Sequence, residues 1–163
     1  MTGTVLQVNA SLGGIPKTPM AEAVLTAEGV QGDRHAHPQY HGGPQQAVLV
    51  IASEALGELN TAGFVLVPGA LGENITTTGL DRKAWRSGQR WRIGQSAVIE
   101  FTKLREPCRT LSRFGPGIQK AVYDAQAQDG DPESRHWGIG GFYAAVIEPG
   151  VVRAGDAIEL HIE

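Results

Sequence analysis

The side chain best suited to nucleophilic or metal chemistry is the single thiol of the chain, Cys108, carried in the stretch TKLREPCRTLS. The thiolate, not the thiol, is the nucleophile and metal ligand, and cationic neighbours favour it. Arg105 and Arg109 flank the cysteine, with Lys103 and Arg113 close in sequence. Pro107 holds Glu106 extended, so a strand ending here would present Cys108 at a rim. A lone cysteine is most often a small buried hydrophobe, yet a Pro-Cys loop crowded with arginine is unlike a core position. Cys108 is therefore the expected centre of chemistry.

A second segment, GVQGDRHAHPQYHGGPQQAV, runs from Gly29 to Val48. His35, His37 and His41 have spacings that could bring two or three imidazoles to one metal, with Asp33 orienting one of them. A fourth ligand is not evident, so zinc is the lesser reading. In the other, Gly42-Gly43 lets backbone amides approach an anion, helped by Arg34 and a histidine. In PGALGENITTTGL, Asn74 carries donors and an acceptor suited to a heterocycle edge, while the plainer reading has Glu73 and Asn74 capping a turn. Gly140-Gly141 and the strand after them read as structural, closing a barrel.

These segments need elements to hold them. Alternation predicts strands over Thr4 to Ala10, Glu22 to Thr26, Glu73 to Thr77, Phe142 to Glu148 and Ala157 to Ile162. The last two are joined through turns at Pro149-Gly150 and Gly155-Asp156, as a hairpin. Gln46 to Ile51 is a near-continuous apolar run, as in a strand buried on both faces. Arg90 to Ile93 and Ala97 to Thr102 read as another hairpin around Gly94-Gln95-Ser96. A helix over Glu54 to Asn60 is expected, with Ser53 as N-cap and Gly63 as its stop. A second is expected over Ile118 to Gln128. The fold class that follows is mainly β with some α, a closed or nearly closed mixed barrel with a few helices.

Taken in order along the chain, the segments resemble the MOSC domain, the C-terminal domain of molybdenum cofactor sulfurases. The resemblance rests on Gly32-Asp33-Arg34-His35, then His41-Gly42-Gly43-Pro44 with Gln46-Ala47-Val48. It continues with Pro68-Gly69 to Gly72-Glu73-Asn74-Ile75, with Arg105 to Pro107-Cys108, and with Gly141-Phe142-Tyr143 to Gly155-Asp156. It implies one MOSC-like domain over residues 1–163 of the small bacterial type, folded as a pyruvate-kinase-type mixed barrel. It also implies a molybdenum-pterin cofactor whose metal is bound by Cys108, with Arg34, His35, Gly43, Glu73, Asn74 and Arg105 contacting the cofactor. A soft thiolate suits a metal already held by dithiolene sulfurs. The implied activity is reduction of N-hydroxylated compounds, such as hydroxylamino-purines or amidoximes. No pyridoxal-phosphate or ferredoxin domain is expected in the chain, so the partners are a small-molecule substrate and a separate electron-donor reductase. Two rival roles use the same cysteine or pocket. One is a sulfur carrier that receives sulfur from a donor as a Cys108 persulfide, and the other a non-catalytic cofactor-binding module.

Composition supports a globular, turn-rich chain, with 41% hydrophobic and 19% charged residues, 22 glycines and 9 prolines among 163. A net charge of −3 argues against a nucleic-acid partner. No apolar run approaches the ~20 residues that span a bilayer, and no leader pattern is evident at the N-terminus. One cysteine without an intramolecular partner suits a reducing, cytoplasmic setting. A homodimer is the default symmetric assembly.

Overall fold

A computed structural model of the chain describes residues 1–161. Seven strands close into a ring: β1 (Thr2–Ala10), β5 (Val48–Ala52), β6 (Ile75–Thr78), β7 (Arg90–Ile93), β8 (Ala97–Leu104), β9 (Phe142–Glu148) and β11 (Ala157–His161). Around the ring the order is β1-β11-β7-β8-β9-β5-β6 and back to β1. Every pairing is antiparallel except β5 with β6. Parallel neighbours need a crossover rather than a tight turn, and here it contains helix α1 (Ser53–Thr61). A short strand, β2 (Thr18–Met20), extends β1. A small separate sheet joins β10 (Gly150–Val152), β3 (Ala23–Thr26) and β4 (Gly29–Val30). Two further short helices are α2 (Ile118–Val122) and α3 (Ala125–Gln128).

The barrel is filled by rings. Trp85, Trp91, Phe101 and Phe142 are fully buried, and Phe101 lies 5.1 Å from Trp85, 5.5 Å from Trp91 and 5.3 Å from Phe142 between ring centroids. A second core lies outside the barrel. The outward residues Leu49 and Ile51 of β5 pack there with Leu56 and Leu59 of α1, with Leu71, and with Leu111, Ile118 and Val122. All five residues of β5 are buried because both of its faces are covered, which accounts for the uninterrupted apolar run. This outer layer brings the loop before β6 and the segment after β8 together over one stretch of barrel wall.

Several sequence expectations change. The predicted helix over 118–128 splits into α2 and α3, because Tyr123 is extended and Asp124 starts a new turn by accepting from the Ala127 N–H at 2.7 Å. Ser53 lies inside α1, whose N-cap is Ala52 without a side-chain bond. The strand expected over 73–77 begins at Ile75, which leaves Glu73 and Asn74 in the loop. The last two barrel strands are not a hairpin: β9 lies between β8 and β5, and β11 between β7 and β1. That placement of β11 still closes the barrel. Ile162, expected to end it, lies outside the described residues.

Gly141 shows how tightly the wall is drawn. Its φ is +87°, and a Cβ there would sit 2.3 Å from the Val50 carbonyl oxygen. Its own carbonyl accepts from the Arg105 N–H at 2.9 Å. Gly141→Ala is expected to lower the unfolding free energy by about 2 kcal/mol or more, read as a fall in midpoint in urea denaturation.

Candidate active site

One cavity gathers most of the sequence-predicted residues. Its walls come from five places: the loop after β1, the histidine segment, the outer face of β5 and β9, the loop before β6, and residues 105–110. Gly14, Ile15 and Lys17 supply the first wall, and Arg34, His35, His37, His41 and Gly42 the second. Leu49 and Tyr143, cross-strand partners on β5 and β9, form the floor. Leu71, Gly72 and Asn74 face Arg105, Cys108 and Thr110. No aspartate or glutamate is among the lining residues.

Cys108 follows the end of β8 and is half-buried. It occupies the N-cap position of a six-residue 3-10 turn, Arg109–Phe114, without closing a full capping hydrogen bond. Its carbonyl is held by Gln119 Nε2 at 3.0 Å, and its sulfur lies 2.6 Å from the Thr110 hydroxyl. Partial burial pushes the thiol up, but the Thr110 hydroxyl, the Thr110 and Leu111 amides and the Arg105 guanidinium outweigh it. The net shift is downward from the ordinary value, so the thiolate is favoured.

Arg105 is 5% exposed. Its Nη2 donates to the Leu71 carbonyl at 3.0 Å, while its buried Nη1 has no hydrogen-bond partner. A buried donor left unpaired is costly; the Arg105 side chain also interacts with the Tyr143 phenol beside it. The neighbouring Tyr143 phenol is pushed up by burial, against the pull of Arg105. His35 and His41 are both shifted down, chiefly by burial, then by Lys17 for His35 and by His35 and Arg105 for His41. Both imidazoles are therefore neutral at neutral pH.

The loops are held by a buried polar junction. Lys17 Nζ lies 2.6 Å from both oxygens of Asp33, and the two side chains are 6% and 3% exposed. Asp33 also accepts from Asn74 Nδ2 at 2.9 Å and from the Ser11 N–H at 2.8 Å.

The MOSC domain family model matches residues 37–159, three-quarters of the chain and most of the barrel just described. The chain belongs to the MOSC domain family. That family is associated with binding of the molybdenum cofactor. YflK of Bacillus subtilis (strain 168), an uncharacterized protein, is 33% identical over 151 residues, covering 90% of this chain and 62% of that protein. YiiM of Escherichia coli (strain K12) is 30% identical over 143 residues, covering 85% and 59%. The chain thus spans about three-fifths of the length of these curated relatives. The crystal structure of YuaD from Bacillus subtilis superposes with a TM-score of 0.75 at 20% identity, covering 100% of this chain and 97% of that one. YiiM from Geobacillus stearothermophilus gives 0.70 at 22% identity, covering 98% and 75%. Both structures share the fold.

Within this MOSC domain the structure brings Arg34, His35, Asn74, Arg105 and Cys108 to one cavity. It places Glu73 and Gly43 elsewhere. Glu73 points inward and is fully buried, its carboxylate accepting from the Gly69 and Leu71 N–H groups and the Thr76 hydroxyl. Burial pushes that carboxyl up, against these bonds. Gly43 starts a short 3-10 turn, Pro44–Gln46, and its neighbour Gly42 lines the cavity instead. A Cβ on Gly42 would sit 2.7 Å from the His35 ring, so glycine lets the imidazole settle there. Asn74 faces the cavity with its amide already committed to Asp33, to the Asn9 carbonyl and to the Leu49 N–H.

Asp33 does not take up the expected role of orienting a metal-bound histidine. Its oxygens are engaged by Lys17, Asn74 and Ser11. His35, His37 and His41 line the same cavity, but among the described residues no three His, Cys, Asp or Glu side chains are grouped as a metal site. Lys17, Thr110 and Tyr143 were not predicted. Two-residue alternation after the buried Phe142 would have turned Tyr143 to the outer face. Nothing local marks Lys17, whose partner lies sixteen residues away.

Alkylation of Cys108 by iodoacetamide across pH is expected to reach half-maximal rate below pH 9.0, the ordinary thiol value, and Thr110→Val is expected to move that midpoint upward. Lys17→Met, which strands the buried Asp33 charge, is expected to cost about 3–5 kcal/mol in chemical denaturation. Lys17→Met/Asp33→Leu should recover part of that loss.

Proposed function

We propose that this chain binds the molybdenum-pterin cofactor through Cys108 and reduces N-hydroxylated compounds with electrons from a separate donor. The observation that carries the reading is a thiol shifted below its ordinary value, in a cavity with no carboxylate among its lining residues and beside a buried guanidinium nitrogen that lacks a partner. Both features suit an anionic ligand that brings a metal already held by sulfur. When bound, the cofactor would supply a centre able to pass two electrons to the substrate.

The chain's own residues have separable tasks. Cys108 would ligate the metal as thiolate, kept in that form by Thr110 and Arg105. Arg105 Nη1 and Arg34 would pair with anionic oxygens, a role suited to arginine. Gly42 and Gly72 keep the walls low, since a Cβ at either would strike His35 or Ile15. His35 and His41, neutral and facing the cavity, can accept or return a proton as the N–O oxygen leaves. Overall R–NHOH, two electrons and two protons give R–NH2 and water. Among the described residues no helix is long and apolar enough to cross a membrane, and a free thiol of this kind fits the reducing cytoplasm.

Elemental analysis of protein expressed with cofactor biosynthesis intact tests the assignment. Wild type is expected to carry molybdenum, and Cys108→Ser at least about tenfold less, because hard oxygen is a poorer ligand for the metal than soft sulfur. The circular dichroism melting curve should be unchanged. Equal molybdenum in the two proteins would overturn the assignment. Metal-free protein that gains one sulfur atom on Cys108 from a cysteine desulfurase would instead support the persulfide carrier.

A further inference from the structure

The cations around Cys108 fall into two groups. Lys17, Arg34 and Arg105 line the cavity. Lys103, Arg109, Arg113 and Lys120 are exposed and stand outside it. The outer four lie within residues 103–120, which hold five basic side chains against the single acid Glu106. The whole chain carries a net charge of −3, so the remainder holds an excess of seven negative charges. Among the described residues none of the outer four forms an ion pair. An acidic protein has therefore gathered four exposed cations without ion pairs in the segment that presents Cys108. Two of them touch its walls from outside: Lys103 Nζ lies 5.8 Å from the Tyr143 ring centroid, and Arg113 donates to the Ile15 carbonyl.

Two exposed side chains with apolar surface stand in the loops that line the same cavity. Leu12 is 85% and Tyr40 75% exposed. Leu12 lies two residues before the cavity-lining Gly14 and Ile15, and Tyr40 stands between the lining His37 and His41. Arg113 donates through Nη1 to the Ile15 carbonyl, which joins the basic strip to the Leu12 loop. Tyrosine and arginine are enriched in protein interfaces, where apolar anchors sit inside a polar rim.

We propose that the basic strip of residues 103–120, with Leu12 and Tyr40, is the docking surface for a small acidic electron-transfer protein. The inference rests on the reductive reading above, in which two electrons must enter for each N–O bond broken. Electron transfer weakens steeply with distance, so the donor must sit over the cavity mouth rather than elsewhere on the molecule. Complementary charge steers such encounters and selects the partner. An acidic donor is drawn to this face and repelled by the rest of the surface, which orients it.

The test uses molybdenum-loaded protein with a bacterial flavodoxin as the acidic donor. Association is measured by interferometry, and turnover of an N-hydroxylated substrate is followed with flavodoxin or with reduced methyl viologen. Lys120→Ala and Lys120→Glu are expected to weaken flavodoxin binding and raise its KM progressively, the second by about threefold or more at low ionic strength. Added salt should weaken wild-type binding and narrow that gap. Molybdenum content and viologen-driven turnover should stay at wild-type levels. Flavodoxin binding indifferent to both salt and the substitutions would overturn the proposal. So would single-stranded DNA or phosphatidylglycerol vesicles binding this face more tightly than flavodoxin. Charge-dependent docking in a loaded protein that fails to turn over even with viologen would sink the reductive reading and leave the surface standing.

Discussion

Asp33 is hydrogen-bonded from three directions, by the Lys17 ammonium, the Asn74 carboxamide and the Ser11 backbone N–H. Its partners belong to the loop that leaves β1, the residue that enters β2 and the residue before β6. A buried ion pair is expensive to desolvate and adds little net stability by itself, but losing one partner is severe. A fully satisfied junction of this kind gives geometry more than energy. It holds three chain segments in register where no strand pairing reaches. Glu73 extends the same arrangement one residue further, collecting the amides of Gly69 and Leu71 so that the loop before β6 keeps its shape. The walls of the cavity can then be polar and still rigid.

The cavity lies on the outside of the barrel because β5 and β9 are covered on both faces. Their inward residues join the aromatic core, and Leu49 and Tyr143 turn outward to meet the second core. Leu111, Ile118 and Val122 anchor the segment after β8 over that wall. Arg105 spans the gap to the Leu71 carbonyl. Cys108 is thus carried by a stretch held at both ends, with its sulfur at the opening between the barrel wall and the outer layer.

Charge is sorted on either side of that stretch. Inward there are basic groups and neutral imidazoles without a lining carboxylate, and one guanidinium nitrogen has no partner in the protein. Outward there are exposed cations that form no ion pair among the described residues. An anionic ligand inside and an acidic surface outside would complement the two sets separately. The Cys108 sulfur lies between them, and the Arg105 guanidinium on the inner side helps draw its thiol below the ordinary value.

Local chemistry was readable in the chain order of residues. Proline before Cys108, arginine on both sides of it, the glycine turns and the two-residue alternation of β9 all act within a few residues, so the rim cysteine, the mainly β class and the MOSC resemblance followed from them. Boundaries that depend on a competing partner did not follow. The helix over 118–128 divides because Asp124 finds the Ala127 amide and the Ser134 hydroxyl, and Glu73 turns inward because three donors await it there. Sequence alone established which side chains could do chemistry and which stretches would be extended. Tertiary structure decided which of them meet: β11 returning to β1, Lys17 reaching Asp33, and Tyr143 arriving beside Arg105. Those contacts join residues far apart in the chain, and their partners are selected by closure of the barrel and burial of charge, which no local preference encodes.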